Sequence, residues 1–301
     1  MYSKRILWLA TAMAVAVSAG PLAAQAPQTP APAAPAAAFT TVKVEGTDNV
    51  YLFRYSGYQS MFVVTPEGVI ATDPASENRP AAEAYIGEIR KITQAPIRYV
   101  IYSHHHSDHT AGGKPFKDLG ATFIAHTKAK ERLAAMGRAD IVLPDETVDD
   151  KRTLTLGGTE LELSFVGRNH SDNSLVMRLP KEKLLFAVDF APVRSVLWRN
   201  MPDSYLPDWN ESLKRILALD WDRLIPGHPY DGGLGTKQDI QNLLAYMDDL
   251  SGAVKTAADA GKCPDAAKAE VKLPKYASWV DYAQDIAGNV ERYCTFWTTK
   301  Q

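Results

Sequence analysis

Histidine and aspartate side chains are concentrated in one short segment, SHHHSDH at residues 103–109. The segment directly follows an apolar run at residues 97–102, so we expect it to lie on a loop leaving a strand, where functional sites are usually found. In an extended chain, residues two apart point the same way, so His104 and His106 can bind one metal ion together. Imidazole nitrogens with a few carboxylate oxygens are a ligand set suited to zinc.

The other residues of this segment have different expected roles. His105 lies between the two predicted ligands and should point away from them. The chain turns at Asp108 and His109, which makes a second pair of ligands available to a neighbouring metal ion. The alternative is a polar loop or a solvated run of histidines that binds no metal. That alternative does not explain why further candidate ligands recur just after later strands.

Three more candidate ligands follow predicted strands further along the chain. His170 lies in a turn-rich segment at residues 167–173, Asp189 follows the apolar run 184–188, and His228 follows the short strand 223–225. Residues at strand ends can converge on one edge of a sheet, so we predict a single metal centre. Its predicted ligands are His104, His106, Asp108, His109, His170, Asp189 and His228.

The elements that must position these residues form two halves of similar layout. Strands are predicted at residues 41–44, 50–55, 59–65, 69–72, 97–102, 122–125, 159–166, 174–179, 184–188 and 223–225. Helices are predicted at residues 79–93, 128–136, 208–219, 236–261 and 281–296, with Asp208 and Thr236 as N-caps. This order predicts two mixed sheets packed face to face with helices outside, a four-layer αββα sandwich of the α/β class. A doubly wound parallel sheet fits less well, because several strands are joined by tight hairpins.

The N-terminal residues have the composition of a targeting segment. Lys4 and Arg5 precede an apolar run at residues 6–19, so residues 1–26 are predicted to be a secretory signal peptide, with an uncleaved anchor as the alternative. Residues 27–38 are a Pro/Ala-rich linker, and the hydrolase domain is expected to span residues 39–301. The mature protein is therefore expected to be periplasmic or secreted, without stable membrane association after signal cleavage.

Charge and cysteine content narrow the possible partners. The chain of 301 residues carries a formal net charge of −2, so it has no electrostatic footprint for nucleic acid. Cys263 and Cys294 are the only cysteines, and in an exported protein such a pair is predicted to form a disulfide. Two separate buried thiols are the alternative. The sequence does not predict the oligomeric state.

The segment HHHSDH contains the His-x-His-x-Asp-His motif of the metallo-β-lactamase superfamily, and His170, Asp189 and His228 follow in the family's order. The resemblance covers about residues 48–235. It implies that His104, His106 and His170 bind one zinc ion, that Asp108, His109 and His228 bind a second, and that Asp189 bridges both. Asp73 resembles the family's buried aspartate that supports the histidine loop, with a simple turn residue as the alternative. His126 matches no ligand position and is assigned a structural role.

The resemblance implies a dinuclear zinc-dependent hydrolase that acts on a small molecule. A metal-bridging hydroxide would attack an ester, thioester, lactone or β-lactam, and Asp108 would orient it and move its proton. One main group of β-lactamases differs in having cysteine in place of Asp189, and a lysine that holds the drug's carboxylate in place of Pro192. Arg194 is a possible substitute for that lysine. An aspartate at the bridging position is instead typical of glyoxalase II-like thioesterases and lactonases.

Alternative functions belong to other classes. The alternatives are a β-lactamase proper and a mononuclear iron persulfide dioxygenase-like enzyme using His104, His170 and Asp189. A non-catalytic metal-binding or maturation protein is the third, and eroded ligand positions would be expected there. The aromatic stretch after Asp189 either walls a substrate pocket or packs against the sandwich; it contains Trp198, Met201, Tyr205 and Trp209. The aromatic residues between 276 and 297 are expected to dock the last helix to the core.

Overall fold

The computed structural model describes residues 39–74, 81–229 and 233–300. The predicted signal peptide at residues 1–26 and the linker at residues 27–38 lie outside these ranges. None of the helices within them is long and apolar enough to cross a membrane.

Seven strands form the first sheet, and their spatial order follows the chain. They are β1 (Phe39–Lys43), β2 (Val50–Tyr55), β3 (Tyr58–Thr65), β4 (Gly68–Thr72), β5 (Ile97–Ile101), β6 (Thr122–His126) and β7 (Glu146–Val148). Neighbours from β1 to β4 are antiparallel, and neighbours from β4 to β7 are parallel. The turn between β2 and β3 contains only Ser56 and Gly57, both with positive φ (47° and 88°), the conformation of a tight hairpin.

Five strands form the second sheet, in the order β12-β11-β10-β9-β8. They are β8 (Lys151–Leu156), β9 (Thr159–Phe165), β10 (Leu175–Leu179), β11 (Leu184–Phe186) and β12 (Arg223–Ile225). The pair β11 and β12 is parallel and the other pairs are antiparallel, so both sheets are mixed, as predicted. The sequence pattern did not reveal β7 or β8, because β7 is short and β8 is a largely polar strand at the sheet edge.

Helices cover the outer faces of the sheets. They are α1 (Ala81–Ile92), α2 (Ser107–Thr110), α3 (Gly113–Asp118), α4 (Thr127–Met136), α5 (Leu206–Leu217), α6 (Lys237–Asp259), α7 (Asp265–Glu270) and α8 (Tyr282–Thr299). Thr236 caps α6 as predicted, in a reciprocal capping box with Asp239. The predicted cap at Asp208 is wrong: α5 begins earlier, with Pro207 in its first turn, a position that needs no backbone N–H. Asp208 lies in that first turn and pairs with Arg168.

Three apolar clusters hold the layers together. Met61 and Val63 of β3 point between the sheets and pack in the same cluster as Leu163 of β9. Phe62, which alternates with them, faces outward and packs with Tyr85 of α1. The outer face of the second sheet packs against α5, α6 and α8 in the remaining cluster. The predicted four-layer αββα sandwich is therefore confirmed.

A disulfide between Cys263 and Cys294 ties the chain after α6 to α8. Their Cα atoms are 5.5 Å apart, and this arrangement agrees with the predicted bridge rather than with two separate thiols. Tyr276 and Tyr293 are buried in the same cluster that holds α8 against the sandwich. The C-terminal aromatic residues therefore have the predicted docking role.

Candidate metal centre

All seven predicted ligands lie together at one edge of the sandwich. His104 and His106 are on the loop that leaves β5, and α2 carries Asp108 and His109. His170 lies on the loop after β9, Asp189 follows β11, and His228 follows β12. The ligands therefore lie on segments that follow strands of both sheets, so both sheets contribute residues to one cluster.

The first half of the cluster contains three imidazole nitrogens. His106 Nδ1 lies 2.9 Å from His104 Nε2 and 3.0 Å from His170 Nε2. Asp189 Oδ2 lies 3.4 Å from the Nε2 atoms of both His104 and His170. The Nε2 atoms of His104 and His170 and the Nδ1 atom of His106 thus point toward one another, around one candidate metal position.

The second half of the cluster shares Asp189. Its Oδ1 lies 3.0 Å from His228 Nε2, and its Oδ2 lies 3.2 Å from His109 Nε2. Asp108 Oδ2 lies 3.4 Å from His109 Nε2 and 3.8 Å from His228 Nε2. Asp189 is therefore the one side chain that belongs to both halves.

The donor atoms fit divalent metal ions. A neutral imidazole has one donor nitrogen and one acceptor nitrogen, so three ring nitrogens that converge on one point cannot all be satisfied by hydrogen bonds to one another. Zn–N bonds of 2.0–2.1 Å in a tetrahedral site separate ligand nitrogens by about 3.3 Å, close to the separations found around His106. His109 Nε2 is also buried and makes no hydrogen bond within the described part of the chain.

Protonation states of the metal-free protein suit metal binding at His104, His170 and Asp189. At His109 a metal ion would have to displace a proton, because burial lowers the pKa of this ring but the charges of Asp189 and Asp108 raise it well above its usual value. Burial, reinforced by neighbouring His106, lowers the pKa of His104 well below its usual value. Burial likewise lowers the pKa of His170 to about 4, against the opposing charge of Asp189. Burial alone would raise the pKa of Asp189, but the charges of His109 and His228 hold it well below its usual value. Neutral imidazoles and an ionised carboxylate are the forms that bind metal.

Asp73 supports the histidine loop, as the resemblance implied. It follows β4 and is fully buried, and its Oδ1 accepts a hydrogen bond of 2.6 Å from the backbone N–H of Ser103. Its Oδ2 lies 3.1 Å from His109 Nδ1, on the side of the ring away from the cluster. This contact fixes the proton on Nδ1 and leaves Nε2 available to a metal ion.

Asp203 supports the first half of the cluster in the same way. Its Oδ2 lies 2.8 Å from His106 Nε2, the nitrogen that faces away from His104 and His170. Burial alone would raise the pKa of Asp203, but the hydrogen bond from His106 and the nearby histidine charges lower it to about 2. Sequence reasoning missed this residue, because nothing in the local sequence MPDSY marks it as different from a loop aspartate.

His105 is held away from the ligand pair, as predicted, by Asn173. The backbone N–H of His105 donates to Asn173 Oδ1 at 3.0 Å, and Asn173 Nδ2 donates to His105 Nδ1 at 2.9 Å. Asn173 Nδ2 also donates to Asp172 Oδ1 at 2.8 Å, which defines the orientation of the amide. His105 Nδ1 also lies 3.3 Å from Asn173 Oδ1, but because the contact with Nδ2 is shorter we assign the proton of His105 to Nε2, which faces Asp203 Oδ2 at 3.9 Å.

This tautomer argues against a third metal site. His105, His106 and Asp203 lie close enough to hold an ion together. An ion on His105 Nε2 would need a lone pair there and would move the proton to Nδ1, against the amide N–H of Asn173. We therefore assign His105 and Asp203 to the support of His106.

The hairpin between β2 and β3 holds His228 in place. Gly57 O accepts a hydrogen bond of 3.2 Å from His228 Nδ1, and the ring of Tyr58 stands edge-on to the His228 ring at 4.9 Å. Gln59 binds the preceding residues, with its backbone N–H on Gly227 O at 2.7 Å. His126 lies outside the cluster and caps α4 by accepting the N–H of Lys128, in agreement with its structural assignment.

A cleft of about 520 Å³ opens over the cluster. Of the aromatic stretch after Asp189, Trp198 lines the cleft and is half exposed. Met201 and Trp209 are buried in the core cluster, and Tyr205 lies beneath the guanidinium of Arg168 at 4.7 Å. Of the four residues that the sequence offered as possible walls of a substrate pocket, only Trp198 lines the cleft. The other three pack against neighbouring parts of the protein.

Comparisons with known proteins agree with this arrangement. The model of the Metallo-beta-lactamase superfamily matches residues 55–228. The 2,4-dinitroanisole O-demethylase subunit alpha of Nocardioides sp. (strain JS1661) is 26% identical over 196 residues, which cover 63% of this chain and 57% of that protein. This chain thus spans less than two thirds of that relative.

Two further comparisons concern proteins named as β-lactamases. A metallo-beta-lactamase type 2 of Bacillus sp. (strain 170) is 26% identical over 203 residues, covering 62% of this chain and 76% of that protein. The solved structure of a metallo-beta-lactamase from Pontibacter korlensis superposes with a TM-score of 0.60 at 21% identity, covering 70% of this chain and 99% of the other. At this identity the structural likeness establishes the fold alone.

Proposed function

Because this chain belongs to the metallo-β-lactamase superfamily, we propose that it is a hydrolase that uses two zinc ions to cleave an ester, thioester or lactone of a small molecule. The observation that carries the proposal is the position of Asp189, whose Oδ2 faces His104 and His170 in the first half and whose Oδ1 faces His228 in the second. In the proposed centre His104, His106 and His170 hold one ion, and Asp108, His109 and His228 hold the other. Asp189 would be common to both.

Two zinc ions in this centre would lower the pKa of a shared water and polarise the carbonyl oxygen of the substrate. Asp108 is partly exposed to the cleft, and its carboxylate is the acceptor we assign to the proton of the attacking water. The same group would then return that proton to the leaving group. Asp73 and Asp203 stay outside this transfer and keep the rings of His109 and His106 in orientation.

Hydrolysis of β-lactams is a second candidate because of the similarity to a metallo-beta-lactamase type 2. Two features of the cleft count against it. Pro192 lines the cleft at the position where one main β-lactamase group has a lysine. Arg194, the possible substitute, lies with its Nη1 3.4 Å from Asp239 Oδ1, and it is not among the residues that line the cleft.

Other candidates leave part of the cluster unused. A mononuclear iron dioxygenase would need His104, His170 and Asp189 but not the second half formed with Asp108, His109 and His228. A non-catalytic protein would need neither the complete ligand set nor a cleft above it. A complete second half therefore favours two metal ions.

The proposal is tested by a hydrolysis screen with zinc-loaded protein. The screen covers aryl esters, a lactone, S-lactoylglutathione and nitrocefin, with metal content measured on protein purified without added zinc. We expect ester, thioester or lactone turnover that is lost after chelator dialysis and restored by zinc. Asp108→Ala and His170→Ala should abolish it, and Asp118→Ala, an exposed residue on α3, should not. Activity that survives exhaustive chelation, or one iron per chain, would refute the proposal.

Export to the periplasm or the medium is also part of the proposal. The disulfide between Cys263 and Cys294 supports it, because such bonds persist in oxidising compartments. Fractionation of expressing cells, with a thiol-alkylation assay of each fraction, tests it. Recovery of the protein only in the cytosol with both thiols free would contradict it.

A further inference from the structure

The walls of the cleft are largely apolar. Seven of the residues that line it carry hydrophobic side chains: Met136, Ala191, Pro192, Val196, Trp198, Pro202 and Pro226. Tyr58 and three serines add hydroxyl groups. Among the described residues, no lysine or arginine lines this cleft. The only charged side chains on its surface are therefore those of the metal cluster and of Asp203.

Three arginines that are close in sequence to residues lining the cleft are held by other groups. Arg194 lies beside Asp239, as described above. The guanidinium of Arg199 lies over the Trp198 ring, 4.8 Å from its centroid. Arg132 binds Asp172 with two of its nitrogens. None of these three arginines is among the residues that line the cleft, so none is positioned there to pair with an anionic group of a substrate.

The carboxylate on the wall makes the cleft unfavourable for a second anion. Asp203 lines the cleft with a side chain that is 42% exposed. An anionic substituent placed beside Asp203 would lose its hydration and face a second carboxylate, which is costly. A hydrocarbon group in the same place would gain by leaving water.

We propose that the cleft selects neutral esters or lactones with an apolar aliphatic or aromatic group, and discriminates against substrates that carry a carboxylate, sulfate or phosphate away from the reacting bond. The apolar group lies against Trp198, Met136 and Pro192. The cleft volume of about 520 Å³ suits a small organic molecule. This inference rests on the hydrolytic function proposed above and adds the class of substrate.

A matched pair of esters tests the preference. 4-Acetylphenyl acetate and 4-acetoxybenzoate present the same acetyl ester, and only the second carries a charge, at the far side of the ring. Each kcat/KM is divided by the rate constant for hydroxide hydrolysis of the same ester, which corrects for the leaving group. We expect the neutral ester to be favoured at least tenfold with the zinc-loaded full chain. Equal values, or preference for the anion, would overturn the inference.

Substitutions at Pro192 test the physical cause. Pro192→Lys introduces a cation into the wall, and Pro192→Gln introduces a side chain of similar length without charge. The lysine variant should reduce the preference for the neutral ester severalfold, whereas the glutamine variant should keep it. The same change in both variants would mean that shape rather than charge sets the preference.

A binding measurement separates this inference from the proposed hydrolysis. Propylbenzene is neutral and apolar and, as a hydrocarbon, has no bond that the enzyme could hydrolyse. Calorimetric titration of the zinc-loaded full chain should detect its binding, and Trp198→Ala should weaken that binding at least fivefold. If no ester is hydrolysed but the probe binds in this way, the hydrolytic function fails and the apolar cleft stands. Absence of binding, or binding indifferent to Trp198→Ala, would refute the apolar cleft itself.

Discussion

Asp203 Oδ2 lies 2.8 Å from Nε2 of His106, directly behind the ring whose Nδ1 faces His104 and His170. A carboxylate in this position keeps the proton on Nε2, orients the ring, and makes the opposite nitrogen a stronger ligand. The same relationship recurs in the second half of the cluster between Asp73 and His109, with the roles of the two ring nitrogens exchanged. Each half of the candidate centre therefore has one histidine backed by a carboxylate.

Replacement of Asp203 should weaken zinc binding without unfolding the protein. We expect Asp203→Asn to lower the affinity for the ion bound by His106 by about 10- to 100-fold, the usual effect of losing an outer carboxylate partner. Competition with a chromogenic chelator measures this affinity directly. Asp118→Asn, which removes a surface carboxylate of α3, is the matched control. Equal zinc affinities of the two variants would show that Asp203 does not position His106.

Replacement of Asp73 should affect stability as well as metal binding. Asp73→Ala leaves the Ser103 N–H and His109 Nδ1 buried without their acceptor. Because hydrogen bonds to charged groups contribute about 1.5–3 kcal/mol each, we expect the free energy of unfolding of the metal-free protein to fall by about 2–4 kcal/mol. Urea denaturation in the presence of chelator measures it. Asp73→Asn, which can still accept the Ser103 N–H, should lose less unfolding free energy than Asp73→Ala. An unchanged denaturation midpoint for Asp73→Ala would contradict the supporting role of Asp73.

The disulfide should stabilise the fold without contributing to the centre. Cys263 and Cys294 close a loop with a sequence separation of 31 residues. On the chain-entropy model, opening such a loop costs roughly 3–4 kcal/mol of unfolding free energy. The double variant Cys263→Ala/Cys294→Ala should show this loss in urea denaturation but keep the zinc stoichiometry of the wild type. Reductant should destabilise the wild type and leave the double variant unaffected; equal sensitivity of both proteins would contradict the prediction.

The Asp172–Arg132 pair should make stability depend on pH in the acid range. Burial alone would raise the pKa of Asp172, but hydrogen bonds from Arg132 and Asn173 lower it below its usual value of 3.8. A carboxyl whose pKa is depressed by folding stabilises the protein above the unfolded-state pKa, and this stabilisation is lost as the pH falls through the folded-state pKa. The pair is therefore expected to stabilise the protein fully at pH 6–7 and progressively less below about pH 4.

Asp172→Asn is the variant that tests this pH dependence. It should lower the free energy of unfolding by about 1.5 kcal/mol at pH 7. This value is at the lower end of the range for hydrogen bonds to charged groups, because Arg132 is partly exposed to solvent. Urea denaturation of metal-free protein at pH 7 and pH 3.5 measures the difference between wild type and variant, which should shrink at the lower pH. A difference that grows on acidification would have the wrong sign for this pair.

Local sequence signals were sufficient for most elements and for the seven ligand candidates. Alternating apolar residues, as in β9, and the capping box at Thr236 predict structure because their causes act within a few residues. Asp208 shows the limit of that reasoning: it has the side chain of an N-cap, but Pro207 allows α5 to start two residues earlier. Strand β8 was missed because it is largely polar, and its pairing with β9 is what makes it a strand.

The sequence by itself determined which side chains could bind metal and that they follow strands, because residue type and local periodicity are properties of the chain alone. The tertiary structure decided how they are used: that Asp189 faces both halves, that His106 turns Nδ1 toward its partners, and that Asp203 stands behind it. It also decided that Trp198 lines the cleft while Trp209 is buried. These are contacts between residues distant in the chain, set by the packing of two sheets, and no local pattern encodes them.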